Sequence, residues 1–173
     1  EIESPGKFPI KAGSSVSTSG VCLTVREVLE DTYTTEIMKA TLEKTIFGTY
    51  VPEYVNLEPA VKAGEPMDGH FVLGHVDAVG TIEKLERDNR TLTLFITHPK
   101  EYSPLIVRGG SITVDGVSLT IAENEAGKFV VNLVDYTIKV IENPKKYSLS
   151  NKLKLILPFS RAFYFLIPNY IWL

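Results

Sequence analysis

The sequence predicts an all-β protein made of two tandem copies of one small barrel. Three observations predict it: an internal repeat at a fixed offset, short runs of alternating apolar and polar residues, and frequent turn residues between these runs. The repeat is clearest in SVSTSGVCLTV at 15–25 and SITVDGVSLTI at 111–121, which are identical at five of eleven positions and lie 96 residues apart. The same register holds beyond that core, for example between Thr41 and Thr137. We interpret this as duplication of one structural unit.

Each copy has the pattern of β-strands. The unit V-x-x-x-G-V-x-L-T-V alternates apolar and polar side chains around a glycine turn, which favours a half-buried hairpin. Further runs with a period of two follow at 33–38, 91–97 and 128–133, and Gly, Pro, Asn and Asp separate them at short spacing. Many short strands with regular turn signals are typical of a sandwich or a small closed barrel.

The two copies differ in length. The second begins near His70 and opens with two strand-like runs that have no counterpart in the first copy. We therefore predict an N-terminal barrel at 1–66 that lacks its opening strands, a C-terminal barrel at 67–157, and an apolar C-terminal segment at 158–173. Missing strands expose sheet edges, so we expect the protein to extend further at its N-terminus or the sequence to be truncated there.

Composition narrows the class of partner. The net charge of −3 provides no basic field for nucleic acid, so a small-molecule substrate is expected. Cys22 is the single cysteine, which excludes an intrachain disulfide and favours the cytoplasm. One cysteine and three histidines are poor material for structural zinc. Pro158, Pro168 and Asn169 interrupt the apolar C-terminal run, so we do not expect a membrane partner.

Four motifs together resemble riboflavin synthase in order and spacing: GVCLTV at 20–25, VNLE at 55–58, GHFVLGHVD at 69–77 and DGVSLTI at 115–121. YTIKVI at 136–141, followed by PKK, is similar to fungal and plant members. The resemblance implies two six-stranded Greek-key barrels and a C-terminal helix, usually in a homotrimer. It also implies that each barrel binds one 6,7-dimethyl-8-ribityllumazine, and that a four-carbon unit passes between the two without cofactor or metal.

The resemblance also implies functional residues. Cys22 and Ser118 occupy equivalent repeat positions, where each would donate a hydrogen bond to a lumazine ring nitrogen or add to C7. His75 is expected near the second-copy ligand as a proton donor or acceptor. The predicted substrate-binding residues are Thr24, Glu36, Met38, Thr41, His70, Thr120, Leu133, Val134 and Thr137.

Ordinary structural roles remain open for the same residues. Cys22 suits a small core position, and Met38, Leu133 and Val134 suit a hydrophobic core. Thr24 and Thr120 have the β-propensity of any strand. Either histidine alone is equally explained by a structural role, and His70 would hold the turn after Gly69.

Three features depart from the family pattern. Pro59 stands where the family commonly has an arginine after N-L-E, and Pro158 stands near the position of an aspartate. The tail beyond it does not resemble the usual amphipathic helix that builds the trimer. The alternative function is a non-catalytic lumazine- or flavin-binding protein on the same fold. The presence of Cys22, Ser118 and His75 together favours the enzyme.

Overall fold

The computed structural model describes residues 1–3, 10–53, 55–66, 70–141 and 152–156, and for 139–141 and 152–156 it describes the backbone alone. The described residues form two antiparallel β-sheets, one for each copy of the repeat. This confirms the predicted all-β class. Residues 144–146 and the predicted C-terminal segment, 158–173, lie outside the described residues, as does Gly69.

The first-copy strands, which lie between Ile2 and Pro59, form a five-stranded sheet in the order β1-β4-β3-β2-β5. Its strands are β1 (Ile2–Glu3), β2 (Ser15–Thr18), β3 (Val21–Leu29), β4 (Thr32–Thr35) and β5 (Leu57–Pro59). A short helix, α1 (Lys39–Glu43), and a 3₁₀ turn (Ile46–Gly48) follow β4.

The second-copy strands, which lie between Ala78 and Ile156, form a closed six-stranded barrel in the order β10-β7-β6-β11-β8-β9. Its strands are β6 (Ala78–Arg87), β7 (Thr91–Thr97), β8 (Ser111–Val114), β9 (Val117–Glu125), β10 (Lys128–Val134) and β11 (Lys152–Ile156). A 3₁₀ helix (Lys100–Leu105) precedes β8, and α2 (Asp135–Ile141) follows β10.

The duplication is visible in the strand register. Ser15 pairs with Thr24 between β2 and β3, and the equivalent residues Ser111 and Thr120 pair between β8 and β9. The two hairpins have equal strand lengths and nearly the same sequence of buried and exposed positions. The predicted repeat is therefore confirmed in three dimensions.

Among the residues that the structure describes, the first copy has the short β1 where the second copy has β6 and β7. The two residues of β1 remain, and Ile2 pairs with Tyr33 where Ile96 pairs with the equivalent Phe129. The difference shows in the cores, because thirteen buried apolar residues form the second-copy core whereas Val16, Val25 and Tyr33 form that of the first. In the described part of the chain, no helix is long and apolar enough to span a lipid bilayer.

Candidate functional site

Two equivalent hairpin turns set the candidate site. Ser19 and Gly20 both have positive φ, 47° and 84°, and so do Asp115 and Gly116, 48° and 91°. Positive φ at both residues of a two-residue turn is the type I′ geometry, whose twist matches that of the flanking strands. Each turn fixes the register of its hairpin, and the second residue of the following strand is Cys22 in one copy and Ser118 in the other.

The first copy presents a polar sheet face, which we call the first-copy face. Residues directly opposite one another on paired strands point to the same side of a sheet. Ser17 lies opposite both Cys22 on β3 and Glu58 on β5, and Ser15 lies opposite Thr24. The first-copy face therefore comprises Ser15, Ser17, Cys22, Thr24 and Glu58. The alternate residues of β2 and β3 point into the core.

The second-copy face is built in the same way. Thr113 lies opposite both Ser118 on β9 and Ile156 on β11, and Ser111 lies opposite Thr120. The two faces differ in charge at one register position, because Glu58 carries a carboxyl group where the second copy has Ile156. Ser17 and Cys22 are replaced by the uncharged Thr113 and Ser118.

The segment before β6, residues 70–77, contacts both faces. The backbone N–H of Cys22 donates to the carbonyl of Gly74 over 2.8 Å, so this segment lies along the edge of β3. Val72 is buried against Ala60, which follows β5. At the other end of the segment, His70 Nδ1 and Ser118 Oγ are 2.7 Å apart in a hydrogen bond.

The segment therefore brings His70 to the second copy, and Gly74, the neighbour of His75, to the first copy. The resemblance implies a place for His75 near the second-copy ligand, whereas its neighbour Gly74 bonds to Cys22 of the first copy. His70, expected to hold a turn or to bind substrate, instead bonds to Ser118. The physical reason is that the chain passes along the edge of β3 before it begins β6. Both side chains are solvent-exposed.

The remaining predicted substrate-binding residues divide into two groups. Met38 and Val134 are 74% and 61% exposed although both are large and apolar, which suits a contact surface. Leu133 is 1% exposed and belongs to the second-copy core, so only its backbone is available to a ligand.

The polar members of this set remain accessible to different degrees. Thr24, Thr120 and Glu36 are exposed, and Glu36 lies 3.8 Å from Arg26 in an ion pair. Thr41 on α1 and Thr137 on α2 are half-buried at equivalent positions, each in the first turn or so of its helix.

Burial determines the charge of two groups on the first-copy face. It raises the pKa of the Cys22 thiol, and a hydrogen bond from Ser15 opposes this only in part. The thiol is therefore protonated at neutral pH and suits hydrogen-bond donation better than attack as a thiolate. Burial also raises the pKa of Glu58 from its ordinary value to about 7. The sequence alone did not single out Glu58 as a site residue, although a carboxylate within a short apolar strand is a usable signal.

The duplicated organisation of the chain also appears in its match to a known family. Residues 2–60 and 73–149 match the family described as Lumazine binding domain. The chain is 35% identical over 130 residues to riboflavin synthase of Photobacterium phosphoreum, covering 75% of this chain and 60% of that protein. It is 37% identical over 145 residues to riboflavin synthase of Meyerozyma guilliermondii, covering 80% and 61%.

The fold also matches solved structures of LumP. The complex of LumP with riboflavin superimposes with a TM-score of 0.71 at 21% identity, and the complex with 6,7-dimethyl-8-(1'-D-ribityl) lumazine with 0.66 at 19%. Each match covers 86% of this chain and 80% of the other. The chain spans about 60% of the length of the curated relatives named above. Because the family match takes in both copies of the repeat, the chain belongs to the lumazine-binding domain family.

Proposed function

We propose that this chain acts as a riboflavin synthase: it binds two molecules of 6,7-dimethyl-8-ribityllumazine and transfers a four-carbon unit between them. The products are riboflavin and 5-amino-6-ribitylaminouracil. The single observation that carries the proposal is the pair of equivalent polar faces, with Cys22 on one and Ser118 on the other. The names of the two relatives compared above support it.

Two equivalent faces suit a reaction between two identical substrates. Both products together contain all the atoms of two lumazines, so the transfer needs no external oxidant or reductant. The proton that leaves the C7 methyl of one lumazine must be accepted, and the anion that remains is delocalised over the ring. Holding both rings in register converts a bimolecular encounter into an effectively intramolecular one, which lowers the barrier by up to about 10 kcal/mol in favourable cases.

Cys22, Ser118 and His75 have distinct roles in this proposal. The protonated Cys22 thiol donates a hydrogen bond to the ligand on the first-copy face. Ser118 does the same on the second-copy face, and its hydroxyl is oriented by His70. His75, one residue from the carbonyl bonded to Cys22, is placed to move a proton at the first-copy ligand.

The substrate-binding set follows the same division by copy. Thr24, Glu36, Met38 and Thr41 serve the first-copy ligand. Thr120, Val134, Thr137, His70 and the backbone of Leu133 serve the second. The exposed side chains of Met38 and Val134 offer apolar surface to a ring. We assign the barrels to 1–66 and 67–157, one lumazine to each, and a cytoplasmic homotrimer as the working assembly.

The test is to incubate the full chain with 6,7-dimethyl-8-ribityllumazine and to follow riboflavin by its visible absorbance. Riboflavin formation that falls at least about tenfold in both Cys22→Ala and Ser118→Ala supports the proposal. Cys22→Ser is the matched control, because it makes the first-copy residue identical to its counterpart and retains a donor. Tight binding of lumazine without formation of riboflavin would contradict the proposed enzymatic activity and favour a non-catalytic lumazine-binding protein.

A further inference from the structure

Glu58 places a carboxyl group on the first-copy face, where the register-equivalent residue of the second copy is Ile156. Three residues lie side by side across each sheet, Glu58, Ser17 and Cys22 in the first copy and Ile156, Thr113 and Ser118 in the second. Two strand spacings, about 10 Å, separate the first member of each row from the third. A ring with a ribityl chain, lying across the strands from Cys22, extends that far.

The carboxyl group of Glu58 is withdrawn from water. Ser17, its neighbour on β2, is 4% exposed, and Ala60, two residues beyond Glu58, packs against the buried Val72 of the segment at 70–77. Within the described residues, the carboxyl group of Glu58 has no hydrogen-bond or salt-bridge partner. A carboxyl group in such a place is expensive to ionise unless something pairs with it.

Few ionisable groups face Glu58 from the elements packed against it. Strands β2 and β5 contribute none besides Glu58 itself, and the first-copy face contributes the Cys22 thiol. The segment at 70–77 contributes His70, His75 and Asp77. Burial is the cause that raises the pKa of Glu58 to about 7, so the carboxyl changes charge in the physiological range.

We propose that Glu58 lines the closed end of the first-copy ligand site and takes up a proton when a pteridine or isoalloxazine ligand binds there. The inference rests on the proposed function, because it takes the first-copy face as a ligand site. A ligand over this face removes the remaining water from the carboxyl group, which penalises the charged form further. Because the ligand favours the protonated carboxyl group, its binding is coupled to proton uptake. The affinity of the first-copy face for the ligand therefore falls as pH rises through neutrality. The register-equivalent residue of the second copy, Ile156, has no ionisable group and contributes no proton uptake of this kind.

Riboflavin is the suitable probe because it keeps its charge between about pH 6 and pH 8. Calorimetric titration of the full chain at about pH 7.5, in two buffers of different ionisation enthalpy, measures protons taken up per ligand bound. We expect a substantial fraction of one proton for the natural chain, and a roughly tenfold loss of first-copy affinity between about pH 6 and pH 8.

Two variants separate this role from a structural one. Glu58→Gln keeps a hydrogen-bond donor without a titrating proton, and Glu58→Ile reproduces the second copy. Both are expected to bind riboflavin without proton uptake, whereas Glu27→Gln, which removes an exposed carboxylate from the same copy, retains the uptake. Unchanged proton uptake in Glu58→Gln and Glu58→Ile would contradict this inference but not the proposed function, because groups other than Glu58 would then bind the proton. Absence of riboflavin binding by the natural chain at either pH overturns the proposed function as well.

Discussion

Gly20 and Gly116 occupy equivalent positions in the two copies, and their backbones touch. A Cβ atom on Gly20 would lie 2.4 Å from the amide nitrogen of Gly116, and one on Gly116 would lie 2.9 Å from that of Gly20. The two equivalent hairpin turns, one from each copy, therefore lie in direct contact. Because these turns lead into Cys22 and Ser118, the contact fixes the two faces relative to each other. Glycine is required here for two reasons, a positive φ and the absence of space for a side chain.

Gly20→Ala is expected to lower the free energy of unfolding by about 3 kcal/mol, because about 1 kcal/mol of backbone strain adds to a clash that neither turn can relieve. Gly13→Ala is the matched control, since Gly13 has the same φ of 84° with nothing within 4 Å of an added Cβ. It should cost only about 1 kcal/mol. Urea unfolding of both variants measures the difference, and equal losses would show that the turns can separate without cost.

Glu58 predicts how stability changes with pH. Its pKa in the folded protein, about 7, exceeds the ordinary value near 4.5, so the folded state binds more protons between these values. The contribution of this group to the free energy of unfolding is therefore most favourable below about pH 4.5. It decreases as pH rises and is lowest above about pH 7. Glu58→Gln should be more stable than the natural chain by about 2 kcal/mol at about pH 8, once partial exposure is allowed for, and equally stable at about pH 4. Denaturant unfolding at both pH values measures this. A gain of equal size at both would mean that ionisation is not its cause.

Much of this fold is predictable from sequence because the repeat and the alternation of strands are local patterns. The pairing of Ser17 with Cys22 follows from a two-residue turn and a period of two. The bond between Cys22 and Gly74 joins residues 52 positions apart through the backbone, so no side-chain pattern marks it. For the same reason the sequence, which places His75 near the second-copy ligand only through the family resemblance, does not indicate that the adjacent Gly74 bonds to the first copy.

Glu58 is a second feature of the site that the sequence does not reveal. The motif VNLE is recognisable in the sequence, but the burial of its carboxyl group depends on the segment at 70–77 folding back over β5. Leu133 shows the reverse, because the family resemblance implies a ligand contact whereas the side chain lies in the core of the closed barrel, the alternative that its residue type leaves open. Tertiary packing decides both cases, and neither residue type nor local periodicity encodes it.

Tyr33→Phe is expected to stabilise the protein by about 1 kcal/mol. The hydroxyl groups of Tyr33 and the nearby Thr18 are buried, and neither makes a hydrogen bond with acceptable geometry within the described residues. The equivalent second-copy residues are Phe129 and Val114, which fill the same positions without polar atoms. Removing an unsatisfied buried hydroxyl while the ring remains recovers its desolvation cost.

Thermal or urea unfolding of Tyr33→Phe measures this gain, and Tyr50→Phe is the control because Tyr50 is 45% exposed and should show no change. Thr18→Val should behave like Tyr33→Phe. A loss of stability in Tyr33→Phe would indicate that an internal water molecule satisfies the hydroxyl group.

Ser118 and His70 are expected to act on the second-copy ligand as one unit. Their hydrogen bond, 2.7 Å between Oγ and Nδ1, orients the Ser118 hydroxyl, so removal of either partner should lower second-copy riboflavin affinity by about fivefold, or about 1 kcal/mol. Because both losses arise from the same bond, the double variant Ser118→Ala with His70→Ala should bind no more weakly than either single variant. His70→Asn retains a polar atom near the position of Nδ1 and should recover most of the affinity. Fluorescence titration with riboflavin gives the four affinities of the cycle. Losses that simply add would show that His70 and Ser118 contact the ligand independently and that the histidine does not position the serine.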